Sequence, residues 1–190
     1  MKNIMIDSAT NGYGTDLNEI LTTIEEQNLI DPIILTNYFW DMFIVDALIG
    51  NWDRHNGNWG FLYNQENDSI SIAPIFDCGS SLYPQIDDSL IKKVLSSKQE
   101  LETRIYDMPT SAIQINNKRV NYYKLLSSHE YHKCDEALLR IVPKINLDYI
   151  NDLINSVDYL SDIHKEFLIK IVKRRKEILL DKSYKEIISK

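Results

Sequence analysis

Three polar side chains between Ala47 and Leu82 have the types and spacing that metal-assisted phosphoryl transfer requires: Asp53, Asn58 and Asp77. Moving a phosphoryl group onto a hydroxyl needs a carboxylate to orient that hydroxyl and take its proton. It also needs an amide oxygen and a second carboxylate to hold magnesium on the phosphates. Asp53 lies in a polar loop, Asn51-Trp52-Asp53-Arg54-His55-Asn56-Gly57-Asn58, with four residues between it and Asn58. Asp77 ends an apolar run, Ile70 to Phe76, and leads into Cys78-Gly79. Taken alone, an Asp and an Asn in a loop are equally at home as turn residues that bond their own backbone. The downstream Asp, placed one residue before a Gly, makes the set specific.

These side chains need elements to bring them together. Trp59 to Tyr63 reads as one strand, Asn64 to Ser69 as a polar turn and Ile70 to Ile75 as the return strand, a hairpin that carries Asp77 back beside Asn58. Upstream, Asp31-Pro32 is a helix start with Asp as cap and Pro in the first turn, and Gly50 is a stop. The helix between them is apolar on wide faces, as a buried central helix should be. An earlier helix runs from Leu17 to Gln27, capped by Thr15-Asp16. Further helices are expected over Asp87 to Ser96, Lys98 to Tyr106, Cys134 to Val142, Leu147 to Val157 and Asp162 to about Leu180. Ile113 to Leu126 is ambiguous, with a turn at Asn116-Asn117. The expected fold is mainly α (α+β), a helical bundle with a small β-hairpin next to the polar loop. It forms a single domain over residues 1–190, with 1–14 a loose lead-in.

The loop and the hairpin end resemble the catalytic core of the HipA-type bacterial Ser/Thr kinases, and especially the cell-translocating kinase A group. The matching residues are Gly50-Asn51-x-Asp53-Arg54-His55-x-x-Asn58-x-Gly60 and Ala73-Pro74-x-Phe76-Asp77-x-Gly79-x-Ser81-Leu82, and a weaker likeness extends from about Asp16 to the C-terminus. The resemblance implies a kinase-like C-terminal lobe that uses ATP and Mg²⁺ on a protein substrate. Asp53 is then the catalytic base, and Asn58 and Asp77 hold the metal. Arg54, His55 and Gly79 lie beside the cofactor. From the residues alone, Arg54 suits either a local carboxylate or a phosphate, and His55 suits a structural bond to backbone near the Asp-x-Gly turn. Trp40, Trp52 and Trp59 are expected to wall the loop from behind.

A kinase also needs a lysine on the α/β phosphates and a lobe that covers the nucleotide. After Lys2 the next lysine is Lys92, beyond Asp77, and about thirty residues precede the central helix. The expectation is therefore weak or absent transfer by this chain alone. A separate N-lobe polypeptide or self-association would cover an apolar patch. Two other readings remain open: a non-catalytic, pseudokinase-type partner-binding or inhibitory module, and a hydrolase with Asp53 and Asp77 on one ion.

The net charge of −7 argues against general nucleic-acid binding. No membrane span is expected, because the longest apolar run, Ile33 to Ile49, is broken by Thr36, Asn37, Asp41 and Asp46. Two cysteines and no visible signal peptide fit a reducing cytoplasm, which is the expected location, and leaderless secretion stays open. Three further motifs invite bland readings. His129 to Cys134 fits no zinc pattern and reads as a surface helix or loop. Lys173-Arg174-Arg175-Lys176 reads as a solvated helix face, and Asn11-Gly12-Tyr13-Gly14 as flexible coil.

Overall fold

The structure is a computed structural model that describes residues 14–189. Most of the expected lead-in, with Asn11, Gly12 and Tyr13 of the glycine-bearing stretch, lies outside the described residues. The first helix, α1 (Leu17–Glu26), starts where the Asp16 carboxylate accepts from the N–H groups of Asn18 and Glu19 at 2.9 and 3.1 Å. Such a cap is worth about 1 kcal/mol. The helix buries Leu17, Ile20 and Ile24.

The central helix α2 (Pro32–Ile49) begins on Asp31, which accepts from the Ile33 N–H at 2.8 Å, and stops at Gly50 in the left-handed conformation, φ 65°. A side chain at Gly50 would be strained by that φ and would also bring a Cβ within 3.0 Å of Pro109. By length and composition α2 is apolar enough to cross a membrane, so its internal polar residues do not interrupt it as expected. Half of it is buried, and two of those polar residues have cationic partners inside the fold. Asp46 pairs with Arg54 and Asp41 with Arg140.

The first hairpin pairs β1 (Phe61–Asn64) with β2 (Ser69–Ile72) in antiparallel register, Phe61 opposite Ile72 and Asn64 opposite Ser69. It is shorter than the sequence pattern suggests. One more bond, Ala73 N–H to Gly60 O at 2.8 Å, extends the ladder, and Pro74 then has no N–H to continue it.

Helices α3 (Asp88–Ser96) and α4 (Lys98–Tyr106) share Ser97, which closes one and caps the next through its Oγ. The ambiguous stretch resolves into a second, minimal hairpin, β3 (Gln114–Ile115) and β4 (Lys118–Arg119), followed by α5 (Tyr122–Ser128). Its two loop residues, Asn116 and Asn117, both have positive φ, the requirement of a type I′ turn. Then come α6 (His132–Ile141), α7 (Leu147–Asn155) and α8 (Asp162–Arg175). The last helix does not end near Leu180. It passes through a π-helical turn, Lys176–Asp181, into α9 (Lys182–Ile188).

One contiguous hydrophobic core links α1, α2, β1, α3, α5, α6 and α8, and α2 packs against α6, α1 and α8. The fold is mostly helical, as expected, and it carries two small hairpins where the sequence pointed to one.

The basic run Lys173–Lys176 is solvated at Lys173 but not throughout. Arg175 is 1% exposed, because it follows Ile171 and Val172 on the buried side of α8. Its guanidinium donates to the carbonyls of Ala47 (2.8 Å), Arg104 (3.0 Å) and Met108 (3.3 Å). Within the His129 to Cys134 motif, the His129 ring contacts Asp135 (2.9 Å) and Glu186 (3.2 Å). Cys134 is buried, and that burial pushes its thiol pKa up.

Candidate active site

The polar loop leaves α2 at Gly50 and is fixed first through Asn51. The Asn51 amide donates to Asp46 Oδ1 at 3.0 Å and its oxygen accepts the Asp53 N–H at 3.1 Å. The buried Tyr122 hydroxyl donates to the Asn51 carbonyl at 2.5 Å. Burial, reinforced by the nearby Asp46 charge, raises the Tyr122 pKa, so this donor keeps its proton. These contacts hold the backbone of Asp53. The Asp53 side chain itself is exposed, with no hydrogen-bond partner among the described residues.

Arg54 is the knot of the site. Its side chain is 2% exposed and that of Asp46 1%. Nε donates to Asp46 Oδ2 at 2.8 Å and one terminal nitrogen to Oδ1 at 2.9 Å, a two-pronged ion pair. The other terminal nitrogen donates to two carbonyls, Asn58 O at 2.8 Å and Phe76 O at 2.7 Å. A weaker contact reaches Cys78 Sγ at 3.4 Å. Burial works against the Arg54 charge. The hydrogen bonds and charge of Asp46 outweigh it, and the pKa rises above the ordinary guanidinium value. Of the two partners open to Arg54 in sequence, the structure supplies the carboxylate. Its donors all have partners inside the protein, and it joins the carbonyl of Asn58 to the carbonyl just before Asp77.

The consequence is visible one bond further on. Asn58 Nδ2 donates to Asp77 Oδ2, bringing together two side chains that the chain separates by 19 positions. Asp77 has φ 55°, a left-handed backbone that Asp tolerates better than most residues. His55 shapes the same turn. Its N–H donates to Asn58 Oδ1 at 3.2 Å, and its ring Nδ1 accepts the Gly57 N–H at 3.0 Å, closing a reciprocal cap on the 3-10 turn Asn56–Asn58. This is a structural use of His55.

The segment after Asp77 runs alongside the loop. Trp52 N–H donates to Ser80 O at 3.2 Å and Leu82 N–H to Ile49 O at 2.9 Å. Gly79 lies just before the first of these ties, and a Cβ built on it would meet no protein atom within 4 Å. Trp59 and Trp40 are buried, each packed on Phe39, while Trp52 is half-buried.

Sequence reasoning missed several supports: Asp46, Tyr122, Tyr38, whose hydroxyl donates to Ala73 O at 2.8 Å, and Arg119, which donates to the Trp52 carbonyl. Asp46 was detectable. An acid on the core side of an apolar helix needs a cation, and Arg54 is the nearest one in sequence. The tyrosines and Arg119 left no local signal.

Fold and loop geometry together describe a kinase-like helical lobe. No family model matches the sequence. The chain is 46% identical over 189 residues to the serine/threonine-protein kinase CtkA of Helicobacter pylori, a match that covers 99% of this chain and 58% of CtkA. The chain thus spans less than two thirds of that relative's length. A crystal structure of the H. pylori proinflammatory kinase CtkA superposes with a TM-score of 0.92 at 45% identity, covering 98% of this chain and 68% of the other. The chain is a homologue of CtkA over nearly its whole length and shares its fold.

Proposed function

We propose that this chain is the catalytic lobe of an ATP-dependent protein Ser/Thr kinase of the HipA type, moving the γ-phosphate to a protein hydroxyl. The carrying observation is the contact between Asn58 and Asp77, held by Arg54 across two loops. The kinship with a serine/threonine kinase supports it.

In this reading Asp53 orients the acceptor hydroxyl and takes its proton. Its exposed carboxylate sits on a backbone pinned by Asn51 and so can meet an incoming hydroxyl at little reorganisation cost. Asn58 and Asp77 supply hard oxygen donors. Asn58 Oδ1 keeps a second lone pair after accepting the His55 N–H. Among the described residues no three His, Cys, Asp or Glu side chains cluster as a dedicated metal cage. Two oxygens beside a phosphate suit magnesium, which binds through one or two protein groups plus the substrate. Bound there, Mg²⁺ would screen the charge on the transferring phosphoryl group. Gly79 supports a close approach of nucleotide, since no protein atom requires a glycine at that point.

The lysine for the α/β phosphates comes, in this proposal, from a further segment. The relative is longer than the match, and no lysine lies between Lys2 and Lys92. That segment is either fused to this lobe or a separate polypeptide. The lysine gap also favours a second reading, a pseudokinase-type lobe that binds a partner without transfer.

The test joins this lobe to an ATP-binding lobe and follows transfer from labelled ATP to protein. Asp53→Asn should lower kcat by about 10²–10⁴-fold, and chelation of Mg²⁺ should abolish transfer. Unchanged transfer in Asp53→Asn would remove the base assignment. Absence of both transfer and Mg²⁺-ATP binding in the joined protein would favour the partner-binding module.

A further inference from the structure

The β3–β4 hairpin and α5 border an open groove of about 330 Å³ that the phosphoryl-transfer reading does not use. Lys118, Arg119 and Lys124 lie along it, Ile115 and Tyr131 add apolar surface, and Glu130 contributes a carboxylate. The three cations have no ion-pair partner among the described residues. Elsewhere, Lys93, Arg104, Lys133, Arg140, Arg174 and Lys176 each hold a carboxylate at 2.6–3.1 Å. Lys165, Lys170 and Lys173 also lack an ion pair among the described residues but line a groove together with Asp162 and Glu166, whereas the groove at Lys118, Arg119 and Lys124 holds one carboxylate, Glu130, on a chain of net charge −7.

Arg119 connects this groove to the polar loop. Its Nε donates to Ser111 O at 3.0 Å, and a terminal nitrogen donates to the carbonyl of Trp52, the residue before Asp53. The hairpin behind it is anchored at its other strand, where Gln114 N–H donates to Thr15 O at 2.7 Å. The cationic strip therefore stands on a fixed support beside the backbone of the proposed base.

We propose that this groove docks the acidic flank of the peptide that carries the acceptor hydroxyl, so that acidic residues near the target Ser or Thr set substrate preference. The acceptor role rests on the kinase reading; the docking of an acidic peptide does not. A negatively charged chain repels acidic peptides in general, and a local patch of unpaired cations reverses that field at one place. The apolar surface of Ile115 and Tyr131 suits peptide side chains better than a polyanionic backbone, and the net negative charge opposes nucleic acid.

Fluorescence anisotropy of two short serine-centred peptides, one flanked by glutamates and one by glutamines, tests this without ATP. The glutamate peptide should bind about fivefold more tightly at low salt, the size that two exposed ion pairs support. Lys118→Glu with Lys124→Glu, checked for folding by circular dichroism, should erase or invert that preference. Lys173→Glu, on exposed α8 surface, should leave it intact. Equal binding of the two peptides, an equal loss in Lys173→Glu, or tighter binding of a single-stranded oligonucleotide than of the acidic peptide would overturn the proposal. Preferential binding without any transfer in the joined protein would keep the acidic-peptide groove and overturn only its acceptor role.

Discussion

Two buried arginines lie at opposite ends of the same structural problem. Arg54 and Arg175 are 2% and 1% exposed, and each spans segments distant in sequence. Arg54 has a carboxylate, Asp46, and its pKa is raised in spite of burial. Arg175 has carbonyl oxygens and the Tyr122 ring but no carboxylate, with one terminal nitrogen lacking a hydrogen-bond partner among the described residues, and burial lowers its pKa. The first arrangement fixes geometry at the candidate site. The second staples the C-terminal end of α2 to the end of α4, away from the Asn58–Asp77 pair. A guanidinium is thus used twice as a planar connector, and the counter-charge is present where the Asn58–Asp77 pair is held.

The sharpest way to break this contrast is to remove each arginine in turn. Arg54→Met strands the Asp46 carboxylate in the core and should destabilise the fold by about 3–5 kcal/mol. Arg175→Met strands no charge, and it leaves carbonyls that lose a donor, for roughly 1–3 kcal/mol. Denaturant unfolding of both variants measures the difference. Adding Asp46→Leu to Arg54→Met should recover much of the stability, because the apolar pair no longer buries a lone charge. Under the proposed kinase reading it should not recover transfer by the joined protein, since the carbonyls of Asn58 and Phe76 stay untied. Equal losses in the two single variants would mean that Asp46 is not what distinguishes the two sites.

The same contrast explains what the sequence made legible. The ends of α1 and α2 were readable because their signals are local: Asp16 and Asp31 cap within three residues, and Gly50 stops a helix by its own backbone freedom. The meeting of Asn58 with Asp77 was readable because a hairpin of plain alternation returns the chain to where it left. Arg54 was ambiguous, since a guanidinium fits carboxylate and phosphate alike. Its choice depends on Asp46, eight positions back on a helix face that only packing defines. Arg175 was misread as part of a surface run because its three basic neighbours in that run share its charge but not its position on the helix. The β3–β4 hairpin has only two residue pairs and leans on Thr15 and Asp16, a dependence no local window contains.

Tyr83 sharpens the comparison through pH. Its hydroxyl lies 3.1 Å from Arg104 O and 3.0 Å from Met108 O, two of the carbonyls that also face Arg175. Burial raises its pKa to about 12, against the pull of the Arg175 and Arg104 charges. A folded pKa above the unfolded value of about 10 means that the tyrosine's contribution is complete below pH 10 and is lost as pH rises toward 12. The loss should reach about 1 kcal/mol by pH 11. Unfolding midpoints of the native protein and Tyr83→Phe, compared at pH 9 and pH 11, should diverge in slope, with the variant the flatter of the two. Parallel slopes would mean that Tyr83 ionises as easily inside the fold as outside. Arg175 would then have gained a phenolate partner at high pH.

The smallest effect on stability is expected at Gly79, and there the comparison turns from what the protein ties down to what it leaves open. Around Arg54 nearly every donor has a protein partner. Three residues beyond Phe76, whose carbonyl Arg54 holds, a methyl group on Gly79 would touch nothing within 4 Å. Gly79→Ala should therefore change folding stability by no more than about 0.5 kcal/mol. If the space is kept for nucleotide phosphate, the same methyl group should weaken Mg²⁺-ATP binding by the joined protein in calorimetry while unfolding stays unchanged. Unaltered affinity would show that the open space at Gly79 is ordinary surface, and the case for nucleotide approach would rest on the Asn58–Asp77 pair alone.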